Sequence, residues 1–281
     1  MKCFEIVNTV LEEMYPLIPG DTEDEKDGLV VETFNSMSRA YQGLIRGNAV
    51  NHADLVGRFA YIYMYVTSHA NIVYQLIQKS VDLKNVLEQD VVTVSCLGGG
   101  PGSDFLGILK HLLKQEKQIH LNCNIFDKEN AWNECWSDIG SKVPANLRFN
   151  TNFETVDITS PADWVEKRKF LQSDLFTMSF FMSEVFWIKD VASAFFENLF
   201  SNAKQGSIFL YVDNKDGSFY GWFDSLIEDN NFEVLVSDEC KLNITDYNEE
   251  KKLLGRFYEK FGDKVSPKLT SSVAFRICRK L

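Results

Sequence analysis

The stretch from Val91 to Asp104, VVTVSCLGGGPGSD, constrains this chain more than any other. Six of its first seven residues are apolar or β-branched, which predicts a strand covered on both faces. Gly98, Gly99, Gly100 and Gly102 follow closely, so the backbone can turn through positive φ and approach a ligand with no Cβ in the way. Ser103 or Asp104 is placed to cap a helix whose apolar positions Phe105, Leu106, Ile108, Leu109, Leu112 and Leu113 recur at helical spacing. A strand, a bare glycine floor and a helix N-terminus together predict a nucleotide-sized site at the carboxyl edge of a parallel sheet.

Two familiar glycine signatures fit this run poorly. Gly98 and Gly100 match the dinucleotide fingerprint, but Ser103 stands where its third glycine or alanine belongs. No Gly-Lys-Ser/Thr follows, so the phosphate-loop signature fails. Leu97-Gly98-Gly99-Gly100-Pro101-Gly102 instead resembles the first glycine motif of class I S-adenosylmethionine-dependent methyltransferases, an acidic residue and a hydrophobe followed by G-x-G-P-G. Cys96 occupies the place of the acidic residue, which leaves the methionine amine to backbone carbonyls of the turn or to a carboxylate such as Asp104. The resemblance implies an α/β fold, a doubly wound, seven-stranded, mostly parallel Rossmann-like sheet over residues 90–281, with S-adenosyl-L-methionine as cofactor.

Composition bounds the alternatives. The chain has 281 residues, 45% of them hydrophobic, enough for one large α/β domain with an appended cap. A net charge of −11 argues against strong non-specific attraction to nucleic acid. No run approaches the roughly 20 apolar residues of a membrane span, and Glu12 and Glu13 interrupt any signal-peptide pattern at the start. Six scattered cysteines suit reduced thiols in a cytoplasmic or nuclear compartment, and neither they nor the four histidines have metal-ligand spacing.

Before residue 90 the periodicity is helical. A first helix runs through Ile6, Val10, Leu11 and Met14 to Pro16, residues 20–28 form an acidic linker, and a second helix passes through Phe34, Met37, Tyr41, Leu44 and Ile45 to Gly47. A third begins near His52 and carries Leu55, Phe59, Ile62, Tyr63, Val66, Val73, Leu76 and Ile77 on one face. Residues 1–89 thus read as a helical cap or lid. By resemblance such a lid brings Arg58, Tyr61 or Tyr65 to the substrate or to the methionine carboxylate; the competing reading packs these aromatic residues against the sheet.

Strand and helix then alternate. Strand 119–126 ends at Asp127, which by resemblance accepts the ribose hydroxyls, with Lys128 beside it; Trp132 or Trp136 in the next helix borders the adenosine or packs on the sheet. Strand 147–156 ends at Asp157 and Ile158, the family's adenine-binding positions, although Asp157 or Thr159 can instead cap the helix from Pro161. Strand 175–181 leads to Ser183, assigned to the cofactor, and to Glu184, which holds a substrate amine, takes its proton, or caps the helix over 191–200. Phe186 and Trp187 can wall an apolar pocket. Strand 206–212 ends at Asp213, with Glu184 the other candidate for a catalytic base. A helix over 219–227, a strand over 232–237, a polar insertion at about 239–267 with a helix over 248–261, and a strand over 271–279 complete the chain. By resemblance the last strand inserts antiparallel between the fifth and sixth.

The absence of an Asp/Asn-Pro-Pro-Tyr/Phe run after the fourth strand argues against adenine or glutamine N-methylation. The resemblance therefore implies N- or O-methylation of a small-molecule or protein acceptor. An RNA methyltransferase, or an inactive binding protein with the same fold, are the alternatives, the latter kept open by Cys96.

Overall fold

The computed structural model describes residues 1–47, 52–116, 119–243 and 250–281. Helices α1 (Cys3–Met14), α2 (Glu23–Gln42), α3 (Leu55–Tyr61), α4 (Thr67–Lys79) and α5 (Val81–Val86) precede the first strand. From there β1 (Val91–Leu97), α6 (Ser103–Lys114), β2 (His120–Asp127), α7 (Trp132–Ser141) and β3 (Phe149–Thr155) alternate. They are followed by α8 (Pro161–Trp164), β4 (Leu175–Ser179), α9 (Phe181–Val185), α10 (Lys189–Asn202), β5 (Ile208–Asn214) and α11 (Gly217–Glu228). The chain closes with β6 (Phe232–Asn243), α12 (Arg256–Phe261) and β7 (Thr270–Lys280).

The seven strands form one sheet in the order β3-β2-β1-β4-β5-β7-β6. The first five are parallel, and β7 runs antiparallel to both β5 and β6. This is the Rossmann-like methyltransferase arrangement that the glycine motif implied. Register aligns Leu97 with Phe126 and Ser179 with Val212, so the turns after β1, β2, β4 and β5 open on one edge. The order reverses between β1 and β4, where an α/β sheet of this kind leaves a crevice.

The N-terminal helices, α6, α7 and α12 cover one face of the sheet and share a single apolar core with it. The other face is packed by phenylalanines, among them Phe176, Phe196, Phe200, Phe209 and Phe223. No helix of the described residues is long and apolar enough to cross a membrane. Helices α4 and α6 touch at Gly107, where an added Cβ would lie 2.4 Å from the Ala70 carbonyl oxygen. Because that obstacle is backbone, Gly107→Ala is expected to cost about 1–3 kcal/mol of stability. Denaturant titration reads this directly; an unchanged midpoint would mean that the helices part freely.

Several expectations about local structure are corrected. Residues 23–28 are not a linker but the start of α2: Thr22 and Glu25 form a reciprocal capping box, and the acidic cluster lies at the positive end of the helix dipole. Helix α6 is capped by neither Ser103 nor Asp104, because Gly102, at φ 81°, is its N-cap and both residues lie inside the helix. Strand β4 stops at Ser179, since Phe180 adopts the left-handed region at φ 58°. Strand β6 continues to Asn243 on the β7 template, beyond the point where the polar insertion was expected to begin. The helix expected over 248–261 is a 3₁₀ turn, Glu250–Leu254, followed by α12, with Gly255 at φ 53° between them; Asn248 and Glu249 lie outside the described residues. Asp157 does not cap the helix at Pro161, whose N-cap is Ser160; its Oδ1 accepts from the backbone N–H and hydroxyl of Thr159.

Candidate functional site

The glycine turn is shaped first by its neighbours. At Gly98, φ 62°, a Cβ would stand 2.1 Å from the Phe181 ring, and at Gly102 it would stand 2.2 Å from Trp136. Two aromatic side chains therefore use the space that these glycines leave. Gly100 is different: its N–H donates to Asp127 Oδ2 at 2.9 Å, tying the β1 turn to the end of β2. The other oxygen, Oδ1, accepts from the Glu129 N–H at 2.9 Å.

Beside this turn lies a cavity of about 380 Å³, lined by Leu97, Gly98, Asp127, Lys128, Asp157 and Ile158, and by Phe181, Glu184 and Trp187. Lys128 Nζ pairs with Asp157 Oδ2 at 2.7 Å, and Thr159 completes the support of that carboxylate. A second cavity of about 280 Å³ is lined by Tyr41, Tyr65, His69, Phe180, Glu184 and Lys268, together with Ser183 and residues 214–216. Glu184 borders both cavities.

The π-helical stretch Ile62–Val66, between α3 and α4, determines which tyrosines reach this junction. The extra residue in the turn shifts the helical phase. Tyr61 and Tyr65 stand with ring centroids 5.3 Å apart beside Tyr41 and His69, while Tyr63 is buried and donates its hydroxyl to the Val265 carbonyl. Of the tyrosines, Tyr65 borders the second cavity, Tyr61 borders neither, and Tyr63 packs in the core.

Four carboxyls meet near the junction with their pKa values raised. Burial pushes Asp104, Asp127 and Asp213 each up to about 6, with neighbouring hydroxyl or backbone donors only partly offsetting it. Burial, then the charges of Asp127 and Asp213, push Glu184 up to about 8 although Tyr41 donates to its Oε1 at 3.2 Å. Asp213 is fully buried and accepts from the Ser183 N–H at 2.8 Å, so it orients α9 from behind rather than facing a cavity. Asp104 Oδ2 has no well-formed hydrogen bond, nor do the Thr177 and Ser179 hydroxyls near it. Among the described residues none of Asp104, Asp127, Glu184 and Asp213 is in an ion pair.

Other expected site residues lie apart from the cavities. Pro101 and Gly99 are buried in the turn, and Trp132 packs under it with its ring 5.2 Å from that of Tyr61. Arg58 is buried and donates to the carbonyls of His52 and Ala53, bracing the entry to α3. Phe186 packs on Phe219 and Trp222 and borders neither cavity. Cys96, in the place of the family's acid, is buried with its Sγ 3.7 Å from that of Cys123. Conversely, Tyr41, His69, Phe180 and Lys268 were not singled out from sequence. No motif marks them, and only the packing of α2, α4 and the segment before β7 gathers them.

Sheet order and strand-edge site together define a protein with the Rossmann-like methyltransferase fold. No protein-family model matches the chain, and no curated protein matches it in sequence. In fold it is similar to a SAM-dependent methyltransferase from Methanosarcina mazei, at 12% identity and a TM-score of 0.46 over 72% of this chain and 98% of that one. It is also similar to an S-adenosylmethionine-dependent methyltransferase from Clostridium acetobutylicum, at 12% identity, a TM-score of 0.44, and 88% and 98% coverage. A third similar structure is the precorrin-6y C5,15-methyltransferase of Geobacter metallireducens, at 11% identity, a TM-score of 0.42, and 72% and 87% coverage.

Proposed function

We propose that this protein is a methyltransferase that binds S-adenosyl-L-methionine in the larger cavity and methylates a small acceptor, on nitrogen or oxygen, in the smaller one. The observation that carries this reading is the meeting of the two cavities at Glu184, one of them floored by Gly98 and edged by Asp127 and Asp157. The residues present fit the cofactor. Asp127 is a fixed carboxylate on the lip of the turn, suited to accept a vicinal diol, and Asp157 with Ile158 offers a polar and an apolar contact for adenine. The raised pKa of Glu184, due to burial and to the charges of Asp127 and Asp213, marks a place where a cationic ligand relieves carboxyl crowding. Asp104 is buried beside Thr177 and Ser179 and borders neither cavity, so with Cys96 in the place of the family's acid the cofactor's ammonium group is left to backbone carbonyls of the turn.

S-adenosyl-L-methionine supplies, when bound, an electrophilic methyl carbon whose sulfur leaves as a neutral thioether. The chain's own work is alignment, exclusion of water and removal of a proton. Glu184 stands where an acceptor N–H or O–H would arrive, and its carboxylate is the group that takes that proton as the acceptor heteroatom bonds to the methyl carbon. Asp213 is a positioning residue, holding Ser183 and thereby α9. The helical segment 1–89 serves as a lid, contributing Tyr41, Tyr65 and His69 to the acceptor cavity. That cavity's size and the chain's net charge of −11 favour a small molecule over a nucleic acid. Six free thiols, five of them buried, suit a reducing compartment, cytoplasm or nucleus.

Calorimetry with S-adenosylmethionine and S-adenosylhomocysteine tests the reading, and no binding of either overturns it. Asp127→Ala is expected to weaken binding by about 1–3 kcal/mol; an unchanged affinity would place the ribose elsewhere.

A further inference from the structure

The acceptor cavity contains a cation that is in no ion pair among the described residues. Lys268 reaches the cavity from the segment before β7, which is anchored where its backbone N–H donates to the Met64 carbonyl at 3.0 Å. Its ammonium lies 4.8 Å from the ring centroid of Phe180 and 5.8 Å from that of Tyr65. Phe180 is itself held in place, stacked on His69 at 4.2 Å. The other charges of the cavity are engaged. Lys215 pairs with Glu239 at 3.1 Å, Asp216 caps α11 through the Ser218 N–H, and Glu184 accepts from Tyr41. Asp213, the acid whose charge favours the Lys268 ammonium, is turned to the N–H groups of Ser183 and Asn214.

A half-buried ammonium between aromatic faces gains only part of what it loses in hydration. Burial accordingly lowers the pKa of Lys268. Among the described residues no carboxylate pairs with this ammonium, which leaves a place for an anion brought by the ligand. Asp216 borders the same cavity and would repel a dianion, so a singly charged carboxylate suits it better than a phosphate. Building on the methyl-transfer reading, we propose that the acceptor is a small carboxylic acid whose carboxylate pairs with Lys268. Its apolar body lies between Tyr41, Tyr65 and Phe219, and its nucleophilic atom is presented at Glu184.

The test uses the full chain, saturated with S-adenosylhomocysteine and also without it. Probes are hydroxy- and amino-substituted benzoates and short aliphatic acids, each paired with its uncharged amide and, where made, its phosphonate. Ligand-observed NMR and thermal shift read the binding. At least one acid is expected to bind ten or more times tighter than its amide and tighter than its phosphonate. Lys268→Met should abolish that preference and Lys268→Arg retain it, with affinity for S-adenosylhomocysteine unchanged in both variants. Amides binding as well as acids, an acid preference that survives Lys268→Met, stronger binding of phosphonates, or no acid binding at millimolar concentration would each overturn the proposal. Failure of S-adenosylhomocysteine to bind the unmodified chain would instead remove the methyl-transfer reading, while the comparison of acid with amide still reports on the Lys268 site.

Discussion

Glu184→Gln is expected to slow methyl transfer by about 10²–10³-fold, with little loss of cofactor affinity at low pH. Glutamine keeps the side chain's shape and an oxygen for the Tyr41 hydroxyl, but it cannot accept a proton. Transfer of labelled methyl to acceptors drawn from cell extract measures the rate. A variant as fast as the parent would show that Glu184 takes no part in the proton's departure. The same substitution has a consequence for stability that needs no acceptor. The folded-state pKa of Glu184, about 8, lies above its ordinary value of 4.5. Its contribution to the ligand-free fold is therefore complete below pH 4.5 and is lost as the pH rises through 8. Glu184 is only partly buried and borders both cavities, so the loss is smaller than the full shift implies, on the order of 1–3 kcal/mol. Glu184→Gln should melt about 2–6 °C higher than the parent at pH 8 and match it near pH 5. Equal melting curves at both values would mean that Glu184 ionises without hindrance.

The parts of this architecture that were legible in sequence are those encoded by neighbours along the chain. The VVTVSCL strand and its four glycines specify β1, the turn and α6 locally, and the acids at 127 and 157 are read as strand ends. What escaped depends on long-range packing. Residues 20–28 are rich in acid and flanked by glycine, so they resemble a linker, yet the same acids stabilise the start of α2 once Thr22 caps it. A single left-handed residue, Phe180, ends β4 two positions early and aims α9 at the crevice; nothing in the side chain itself announces that conformation. Lys268 joins the site because β7 returns to pair with β5 inside the edge strand β6, bringing its leading segment against the π-helical turn. Arg58, chemically suited to a carboxylate, is instead consumed by two backbone carbonyls. Charge type identified candidates for the site, and competition among nearby partners decided which of them face it.

Binding of S-adenosylmethionine should strengthen by about 30–100-fold between pH 6 and pH 8, a far steeper dependence than S-adenosylhomocysteine shows. The two ligands share the amine, the carboxylate and the adenosine, and differ in the positive charge on sulfur. Glu184, at about 8, holds a proton in the ligand-free site that a sulfonium displaces, whereas Asp104 and Asp127, at about 6, do not distinguish the two ligands. Binding thus favours the ionised carboxylate, and below its free-site pKa the affinity falls by up to about tenfold per pH unit for the proton released. Near pH 7 Glu184 is the main contributor, because the two aspartates have already lost most of their protons. Calorimetry repeated in buffers of different ionisation heat should accordingly register close to one proton released with S-adenosylmethionine and distinctly fewer with S-adenosylhomocysteine. Glu184→Gln should bring the two pH profiles together above pH 6. Parallel profiles in the unmodified chain would place the sulfonium away from Glu184, and with it the point at which the two cavities exchange their methyl group.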